Sequence, residues 1–366
     1  MEPHVAQGIV RALADFDRLG VGRQVGFERL HLYSIITHST AIEGSTITIE
    51  ENTVMFDDGV LPPGRRVHEQ MMNLDLKRAY EVAAEIARAR TPLSMPLLKA
   101  LAALVMQNTG SSYSTINGPY DEAHGDLRLQ NVSAGRGGRS YLGWEKVEAR
   151  TSELLDWLNA ELARIDDMSF PERYDLAFEA HFRLVTIHPW SDGNGRMARL
   201  LMNLVQFEGG VVPTYVRNES KPAYIASLRE SQDKGSSDAF LAFMAREGLD
   251  ILTDMVGDYA ESMRADVPWA GGRGKSDDAA LTPQVTPQVT PQVFTLLVAL
   301  GSDELGAREL RQRLSLSDAK NFREHYLVPS IELGLVEMAF PDKPRSSKQR
   351  YRLTRAGRAA LARQAT

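Results

Sequence analysis

Apolar residues recur at helical spacing along most of the first two thirds of the chain. Between Val67 and Arg88, and again between Leu97 and Met106, apolar positions fall three or four residues apart, which predicts amphipathic helices. The same reasoning predicts helices over Phe27–Ile42, Glu145–Leu158 and Pro171–Ile187. No stretch approaches the roughly twenty apolar residues of a membrane span. The pattern therefore predicts a mainly α protein without membrane contact.

The helical pattern is interrupted in two places. Residues 118–143 are rich in Gly, Arg and Ser, and a segment of this length is too long to be an idle connection in a compact domain. Residues 270–279 have the composition of a flexible linker and lead into Thr-Pro-Gln-Val, which occurs three times from Thr282. A proline at every fourth position excludes a helix until the last repeat. The repeats are either a semi-rigid spacer or docking strand, or a neutral expansion.

The segment after Pro291 combines helices with strands. The pattern predicts helices ending at Gly301, over Ala307–Leu314 and over Ser317–Leu333, followed by strands over Leu335–Phe340 and Gln349–Leu353. A basic loop between two strands after a three-helix unit resembles a winged-helix domain, a small α+β unit whose longer helix enters the major groove of DNA.

Two interpretations of this C-terminal segment stay open. In one, it binds DNA; in the other, it is a protein-interaction module with a solvated basic face. The candidate DNA contacts are Lys320, Arg323, Lys343, Arg345, Lys348 and Arg350.

Composition and charge limit the chemistry. The 366 residues include no cysteine, so disulfides and thiolate metal sites are excluded, which fits a reducing cytoplasm. The first residues lack the basic and apolar regions of a signal peptide, and we expect a cytoplasmic protein. Residues 282–366 carry a net charge of +5 within a chain of −6, which leaves −11 for residues 1–281. An acidic body argues against a general nucleic-acid surface there but is compatible with a local cationic pocket.

The densest group of reactive residues is the run His188-Pro-Trp-Ser-Asp-Gly-Asn-Gly-Arg-Met-Ala-Arg199. Pro189 and the glycines predict a loop, and a helix should begin near Asn194. A helix that starts in a glycine-rich turn offers unpaired backbone N–H groups to an anion.

The spacing within this run suggests a role for each side chain. Arg196 and Arg199, at i and i+3, share one helix face and suit bidentate contact with phosphate oxygens, while the apolar face should be buried. His188 precedes the turn, where an imidazole can accept a proton near neutral pH. Asp192 could hold Mg²⁺, which favours carboxylate and phosphate oxygens together. The run is therefore suited to holding phosphates and moving one proton.

These residues resemble the motif of the Fic family, His-Pro-Phe-x-Asp-Gly-Asn-Gly-Arg-x-x-Arg, with Trp190 in place of the Phe. The resemblance implies an all-helical core with a small β-hairpin flap, and transfer of AMP from ATP to a Tyr, Thr or Ser hydroxyl of a target protein. It also implies that His188 is the base and that Asp192 binds a Mg²⁺ bridging the α- and β-phosphates.

The resemblance extends to the phosphate contacts. Gly193, Asn194 and Gly195 would form the anion hole, Arg196 would hold the phosphates and Arg199 the γ-phosphate. A relative that phosphorylates its target lacks the second glycine of the turn, so the glycine at this position favours nucleotidyl over phosphoryl transfer.

A second match lies upstream, in Ser39-Thr-Ala-Ile-Glu43-Gly44. The pattern places it at the end of a helix with Gly44 as a C-terminal cap, where a carboxylate is unfavourable with the helix dipole. In the Fic family, Ser/Thr-x-x-x-Glu-Gly/Asn is an inhibitory helix whose Glu pairs with the second motif arginine. Carried over, Ser39 and Glu43 would form that motif, and Glu43 would occupy Arg199 and prevent productive binding of the ATP γ-phosphate.

Two further expectations follow from the resemblance. The family's flap, which aligns the target segment by strand addition, would lie around Leu127–Tyr141. Tyr224, on a helix after the motif, is a candidate contact of the adenine base, with core packing as the alternative.

The sequence thus predicts four regions and an autoinhibited protein adenylyltransferase that uses ATP and Mg²⁺. The regions are an N-terminal helical part (1–92), a Fic core (93–264), a linker (265–290) and a winged-helix-like domain (291–366). The alternatives are a DNA-binding regulator that uses the Fic fold as a nucleotide sensor, and an enzyme that also removes AMP. The target protein stays open, and the chain itself is one option. The oligomeric state also stays open, with a homodimer as one option.

Overall fold

The computed structural model describes residues 1–133, 140–265, 291–301, 303–314, 322–333, 335–339, 349–354 and 357–358. The chain divides into two compact units, Met1–Ala270 and Gly271–Thr366. It is mainly α with small antiparallel sheets, as the sequence predicts. Within the described residues, no helix is both long and apolar enough to cross a membrane.

The first unit is built from helices of varied length that follow the predicted pattern closely. Its described helices are α1 (Pro3–Leu19), α2 (Phe27–Ile42), α3 (Ile49–Asp58), α4 (Val67–Ala89), α5 (Met95–Met106), α6 (Val147–Leu162), α7 (Phe170–Ile187), α8 (Asn194–Glu208), α9 (Lys221–Lys234) and α10 (Asp238–Ala265). Helix α2 has the predicted limits, and α8 begins at the predicted Asn194. Thr48 and Glu51 form the capping box that starts α3.

One hydrophobic core extends through the first unit, from Ile9 of α1 to Leu252 of α10. Helix α8 lies at its centre and packs against α7 and α4. Every residue from Arg196 to Gln206 is buried, so α8 lacks the exposed face that a surface helix keeps. The residues predicted as an N-terminal region and as a catalytic core therefore contribute to a single core.

The face that α4 buries differs from its apolar pattern. Met71, Leu74 and Val82 are only half-buried, whereas Asn73 and Asp75 are buried at 0% and 3% exposure. Asn73 accepts a hydrogen bond from Thr40 Oγ1 at 2.8 Å and donates to the Glu69 carbonyl at 2.8 Å. Asp75 accepts from the backbone N–H and the Nδ2 of Asn108, at 2.8 and 2.6 Å. Both polar side chains can be buried here because hydrogen bonds satisfy them.

A β-hairpin that the sequence did not predict precedes the flap region. Strands β1 (Ser112–Thr115) and β2 (Gly118–Asp121) pair antiparallel, with Ser112 opposite Asp121. Both strands are four residues long, too short for a clear alternation of apolar and polar positions.

The predicted flap, 127–141, is described in its two arms only, and residues 134–139 lie outside the described residues. Ser133 and Ser140 form an antiparallel bridge, and the Tyr141 N–H donates to the Val132 carbonyl at 3.1 Å. The arms are therefore paired like the strands of a hairpin.

The second unit has its own small core. Helices α11 (Pro291–Leu300), α12 (Ala307–Arg313) and α13 (Val328–Glu332) accompany a sheet of β3 (Leu305–Gly306), β5 (Arg350–Leu353) and β4 (Val336–Met338), in that order. The strands β4 and β5 and the helices α11 and α12 match the sequence prediction, whereas β3 was missed because it has only two residues.

The DNA-contact candidates are described only in part. Lys320, Lys343, Arg345 and Lys348 lie outside the described residues, as do residues 266–290 of the predicted 265–290 linker and the predicted helix start at Ser317. Residues 291–293 of the last repeat belong to α11. Arg323 is exposed. Arg350 lies 3.6 Å from a Glu309 carboxylate oxygen and donates to the Glu304 carbonyl at 2.9 Å.

Candidate active site

His188 ends helix α7 in a left-handed backbone conformation. Its φ is +56°, which a non-glycine residue rarely adopts, and its N–H still caps α7 by donating to the Leu184 carbonyl at 3.0 Å. This turn leads the chain into the glycine-rich loop. Pro189 then excludes any continuation of α7.

The imidazole of His188 is held from two sides. Its Nδ1 lies 3.3 Å from the Val185 carbonyl, which favours the tautomer with the proton on Nδ1 and leaves Nε2 as acceptor. The ring of Tyr141, from the flap, stacks on it with centroids 3.6 Å apart and planes 10° apart. Burial lowers the pKa of His188 to about 4. The ring is therefore neutral near pH 7 and can accept a proton.

The loop after His188 is fixed by buried side chains. Trp190 is 1% exposed and its Nε1 donates to the Gly125 carbonyl at 3.2 Å. Asn194 brackets the turn, since its Oδ1 accepts from Trp190 N at 3.0 Å and its Nδ2 donates to Trp190 O at 2.8 Å. The Asn194 side chain thus closes the turn instead of pointing into the cleft. The sequence analysis assigned Asn194 to the anion hole. Because its side chain is occupied by Trp190, only the backbone N–H of Asn194 is left for that role.

Gly193 and Gly195 allow the side chains of Met106 and Glu43 to lie close to the backbone of the motif. Gly193 has φ +77°, and a Cβ there would lie 2.6 Å from Met106 Sδ. A Cβ on Gly195 would lie 2.5 Å from Glu43 Oε1. The carboxylate of Glu43 therefore lies directly against the first turn of α8, where unpaired N–H groups and the helix dipole favour an anion.

Arg196 is buried within the first unit. It is 2% exposed, with Nη1 3.3 Å from the Val105 carbonyl and Nη2 3.7 Å from Asp192. Its Nε has no hydrogen-bond partner among the described residues. A buried donor of this kind is costly and suits an anionic ligand. The Asp192 side chain is 65% exposed, so it could share a Mg²⁺ with phosphate oxygens.

Arg199 is bound to the predicted inhibitory residues. Its Nη2 lies 2.5 Å from Glu43 Oε1 and 2.9 Å from the Ser39 carbonyl, and its Nε donates to Ser39 Oγ at 2.8 Å. Burial tends to raise the pKa of Glu43, but the Arg199 guanidinium outweighs it and holds that pKa below its usual value. The structure thus brings together residues 156 positions apart that the sequence paired.

Tyr224 is placed beside Arg199. It is 2% exposed, and its hydroxyl lies 2.9 Å from His181 Nε2 and 3.5 Å from Arg199 Nη1. Burial lowers the pKa of His181, so its ring is neutral and shares one hydrogen bond with the Tyr224 hydroxyl. The contacts therefore favour a role in holding Arg199, whereas the sequence suggested contact with the adenine base.

Sequence reasoning missed several residues of this site. Arg128 and Tyr141 contact His188 from the flap arms, and neither belongs to a recognisable pattern. Thr40, Asn52 and Asn73 form a buried hydrogen-bond network beneath the end of α2. The one indication of the network in the sequence is that polar residues such as Asn73 stand at positions of α4 that face the core.

Comparisons with known proteins match two segments of the chain. The Fic/DOC family model matches residues 92–206, and the model for the C-terminal domain of Filamentation induced by cAMP protein Fic-like matches residues 291–354. The chain contains a Fic domain.

Similar proteins include the protein adenylyltransferase fic-1 of Caenorhabditis elegans, 27% identical over 61% of this chain and 41% of its own length. The chain thus spans about two fifths of that relative. A Fic family protein from Desulfovibrio desulfuricans G20 is 25% identical, with 97% of each chain covered and a TM-score of 0.53. A Fic domain containing signaling protein from Bacteroides thetaiotaomicron VPI-5482 has a TM-score of 0.58 at 20% identity, over 70% of this chain and 97% of its own.

Proposed function

We propose that this Fic protein transfers AMP from ATP to a Tyr, Thr or Ser hydroxyl of a target protein, and that Glu43 inhibits the transfer. The observation that carries the proposal is the Glu43 carboxylate on Arg199 and against Gly195, because an anion already lies where a phosphate would be held. The adenylyltransferase names of the curated relatives support the reaction class. The four-region division of the chain belongs to the same proposal.

The reaction needs one base and a set of anion donors. His188 Nε2 takes the proton of the target hydroxyl, whose oxygen bonds to the α-phosphorus as the bond to the β-phosphate oxygen breaks and pyrophosphate leaves. The first-turn N–H groups of α8 and the buried Nε of Arg196 face the developing negative charge. Arg199, once released from Glu43, holds the γ-phosphate. Asp192 would hold Mg²⁺, which neutralises phosphate charge when bound.

A labelling experiment tests the reaction class. The protein is incubated with Mg²⁺, cell extract and ATP labelled on either the α- or the γ-phosphate. We expect α-label on protein, its loss in His188→Ala, and no γ-label. γ-Label on protein that is lost in His188→Ala would indicate phosphoryl transfer instead. Label that is released again as AMP would indicate that water hydrolyses the AMP–protein bond. Absence of both labels, even in Glu43→Gly, would refute the proposal.

A further inference from the structure

Arg128 is a buried cation that the proposed reaction does not use. It is 1% exposed, and none of the described carboxylates forms an ion pair with it. A buried guanidinium is costly unless its N–H donors are satisfied. Here its donors bind carbonyl oxygens in three separate segments of the chain, so its position fixes those segments relative to each other.

The three acceptors belong to the catalytic loop and to both arms of the flap. Arg128 Nε donates to the His188 carbonyl at 2.8 Å, Nη1 to the Gln130 carbonyl at 2.8 Å and Nη2 to the Leu142 carbonyl at 2.5 Å. Its own backbone N–H donates to the Pro189 carbonyl at 3.0 Å. One planar fork thus connects the base with the segment before and the segment after the flap tip.

We propose that Arg128 is a positioning residue that holds the flap in a fixed register on His188, so that a target segment paired with the flap presents its hydroxyl to the imidazole. The inference rests on the transfer reaction proposed above. It assigns Arg128 no contact with ATP or with the reacting atoms.

The backbone of His188 gives the first reason. A left-handed conformation at a non-glycine residue is unfavourable by itself and persists where the surroundings determine it. The Arg128 Nε–H fixes the orientation of the carbonyl that follows this φ of +56°. Loss of that donor would allow the turn to relax and the imidazole to move.

The flap arms give the second reason. Tyr141 donates to the Val132 carbonyl across the arms and stacks its ring on His188. The carbonyls of Gln130 and Leu142, which flank this pairing, are the two that Arg128 holds. Displacing reacting groups by about 1 Å can cost roughly a hundredfold in rate, so the register between flap and base matters for transfer.

The test compares arginine variants in the Glu43→Gly background. ATP is supplied together with either the target protein that the labelling experiment identifies or the chain itself as acceptor. In Arg128→Gln we expect kcat for AMP incorporation to fall roughly 10–100-fold, while KM for ATP stays within about twofold. Arg128→Lys keeps the positive charge but loses the planar guanidinium that donates to several carbonyls, so we expect its kcat to be lowered as well. If the Gln variant fails to fold, the Lys variant should still fold because the charge is kept.

Arg173→Gln is the matched control. Arg173 also donates to three backbone carbonyls, those of Asp166, Met168 and Gly209, but near the opposite end of α7. We expect the Arg173 variant to lose stability and keep its kcat. Equal kcat in the parent and in folded Arg128 variants, or an equal loss of kcat in the Arg173 variant, would overturn the proposal.

A spectroscopic measurement separates this inference from the proposed function. If the Glu43→Gly parent transfers no AMP, the proposed reaction is refuted. The position of the flap arms on His188 can still be measured by NMR of the His188 ring and by amide hydrogen exchange. Arg128→Gln or Arg128→Lys should shift the His188 ring signals and speed exchange of the Tyr141 amide. Exchange of the Arg173 amide, which donates to the Ser169 carbonyl at the far end of α7, should stay unchanged. An unchanged His188 ring and an unchanged Tyr141 amide would refute the positioning role.

Discussion

Replacing Glu43 with glycine should make the protein less stable and more active at once. The change removes the carboxylate that lies 2.5 Å from Arg199 Nη2 and leaves the guanidinium with Ser39 and Tyr224 as neutral partners. Glu43 is the C-cap residue of α2, with φ −85° and ψ 1°, so glycine fits its backbone conformation. The measured effects should therefore come from the lost ion pair.

The burial of the two partners sets the magnitude. The Arg199 side chain is 3% exposed and that of Glu43 is 33% exposed, so the pair lies between a buried and a surface ion pair. Removing one partner costs about 3–5 kcal/mol in the buried case and about 0–1 in the exposed case, and we expect about 1–3 kcal/mol here. Because ATP must displace the same carboxylate, that free energy corresponds to roughly a 5–150-fold rise in AMP incorporation.

The assay combines α-labelled ATP with thermal unfolding. The Tm of Glu43→Gly should fall by about 2–4 °C for each kcal/mol lost, and saturating ATP with Mg²⁺ should restore stability more in the variant than in the wild type. The control is Glu28→Gly, an exposed glutamate in the first turn of the same helix, which should leave AMP incorporation unchanged. Equal incorporation by wild type and Glu43→Gly, with Tm lowered, would show that the ion pair is structural and not inhibitory.

Three further outcomes are expected. Tyr224→Phe removes the hydroxyl that contacts both His181 and Arg199. The KM for ATP should therefore rise about fivefold, with kcat less affected. An unchanged KM in steady-state kinetics would contradict this. Burial lowers the pKa of His188 to about 4, although the hydrogen bond to the Val185 carbonyl raises it. The neutral base therefore predominates above that pKa, so kcat/KM should be flat between about pH 6 and 8 and fall only in more acid solution. A midpoint at the ordinary pKa of a solvated histidine, about 6.5, would contradict this. Asn73→Ala removes the side-chain oxygen that accepts from both Thr40 Oγ1 and Asn52 Nδ2 and should cost about 1–3 kcal/mol in urea unfolding. By loosening the end of α2 it should also raise AMP incorporation, whereas a stability loss without that rise would separate the network from inhibition.

Local sequence accounts for the helices and for the form of the catalytic loop. The limits of α2 and the start of α8 follow from the spacing of apolar residues and from capping groups, which act within one or two turns. Pro189 and Gly193 by themselves require a turn after α7, and the Fic motif specifies which side chains that turn carries. Determinants of this kind need no knowledge of distant contacts.

Tertiary structure decided which polar groups are buried and with what. Arg196, Asn73 and Arg128 look like surface residues in the sequence, yet they are 2%, 0% and 1% exposed. Each of them also bonds to a partner far along the chain, the His188 carbonyl for Arg128, Thr40 for Asn73 and the Val105 carbonyl for Arg196, so no local pattern records the hydrogen bonds that satisfy them. The short β1–β2 hairpin is also set by its surroundings, since Tyr120 contacts Ser191 of the catalytic loop at 2.6 Å.

The pairing of Glu43 with Arg199 combines both kinds of information. Its sequence motif named the partners, but only the packing of α2 against α8 brings the carboxylate to 2.5 Å and places it against Gly195. A carboxylate at the end of a helix is unfavourable with the dipole of its own helix. The sequence determined that such a residue exists, and the tertiary structure decided that a buried guanidinium from another helix stabilises it there.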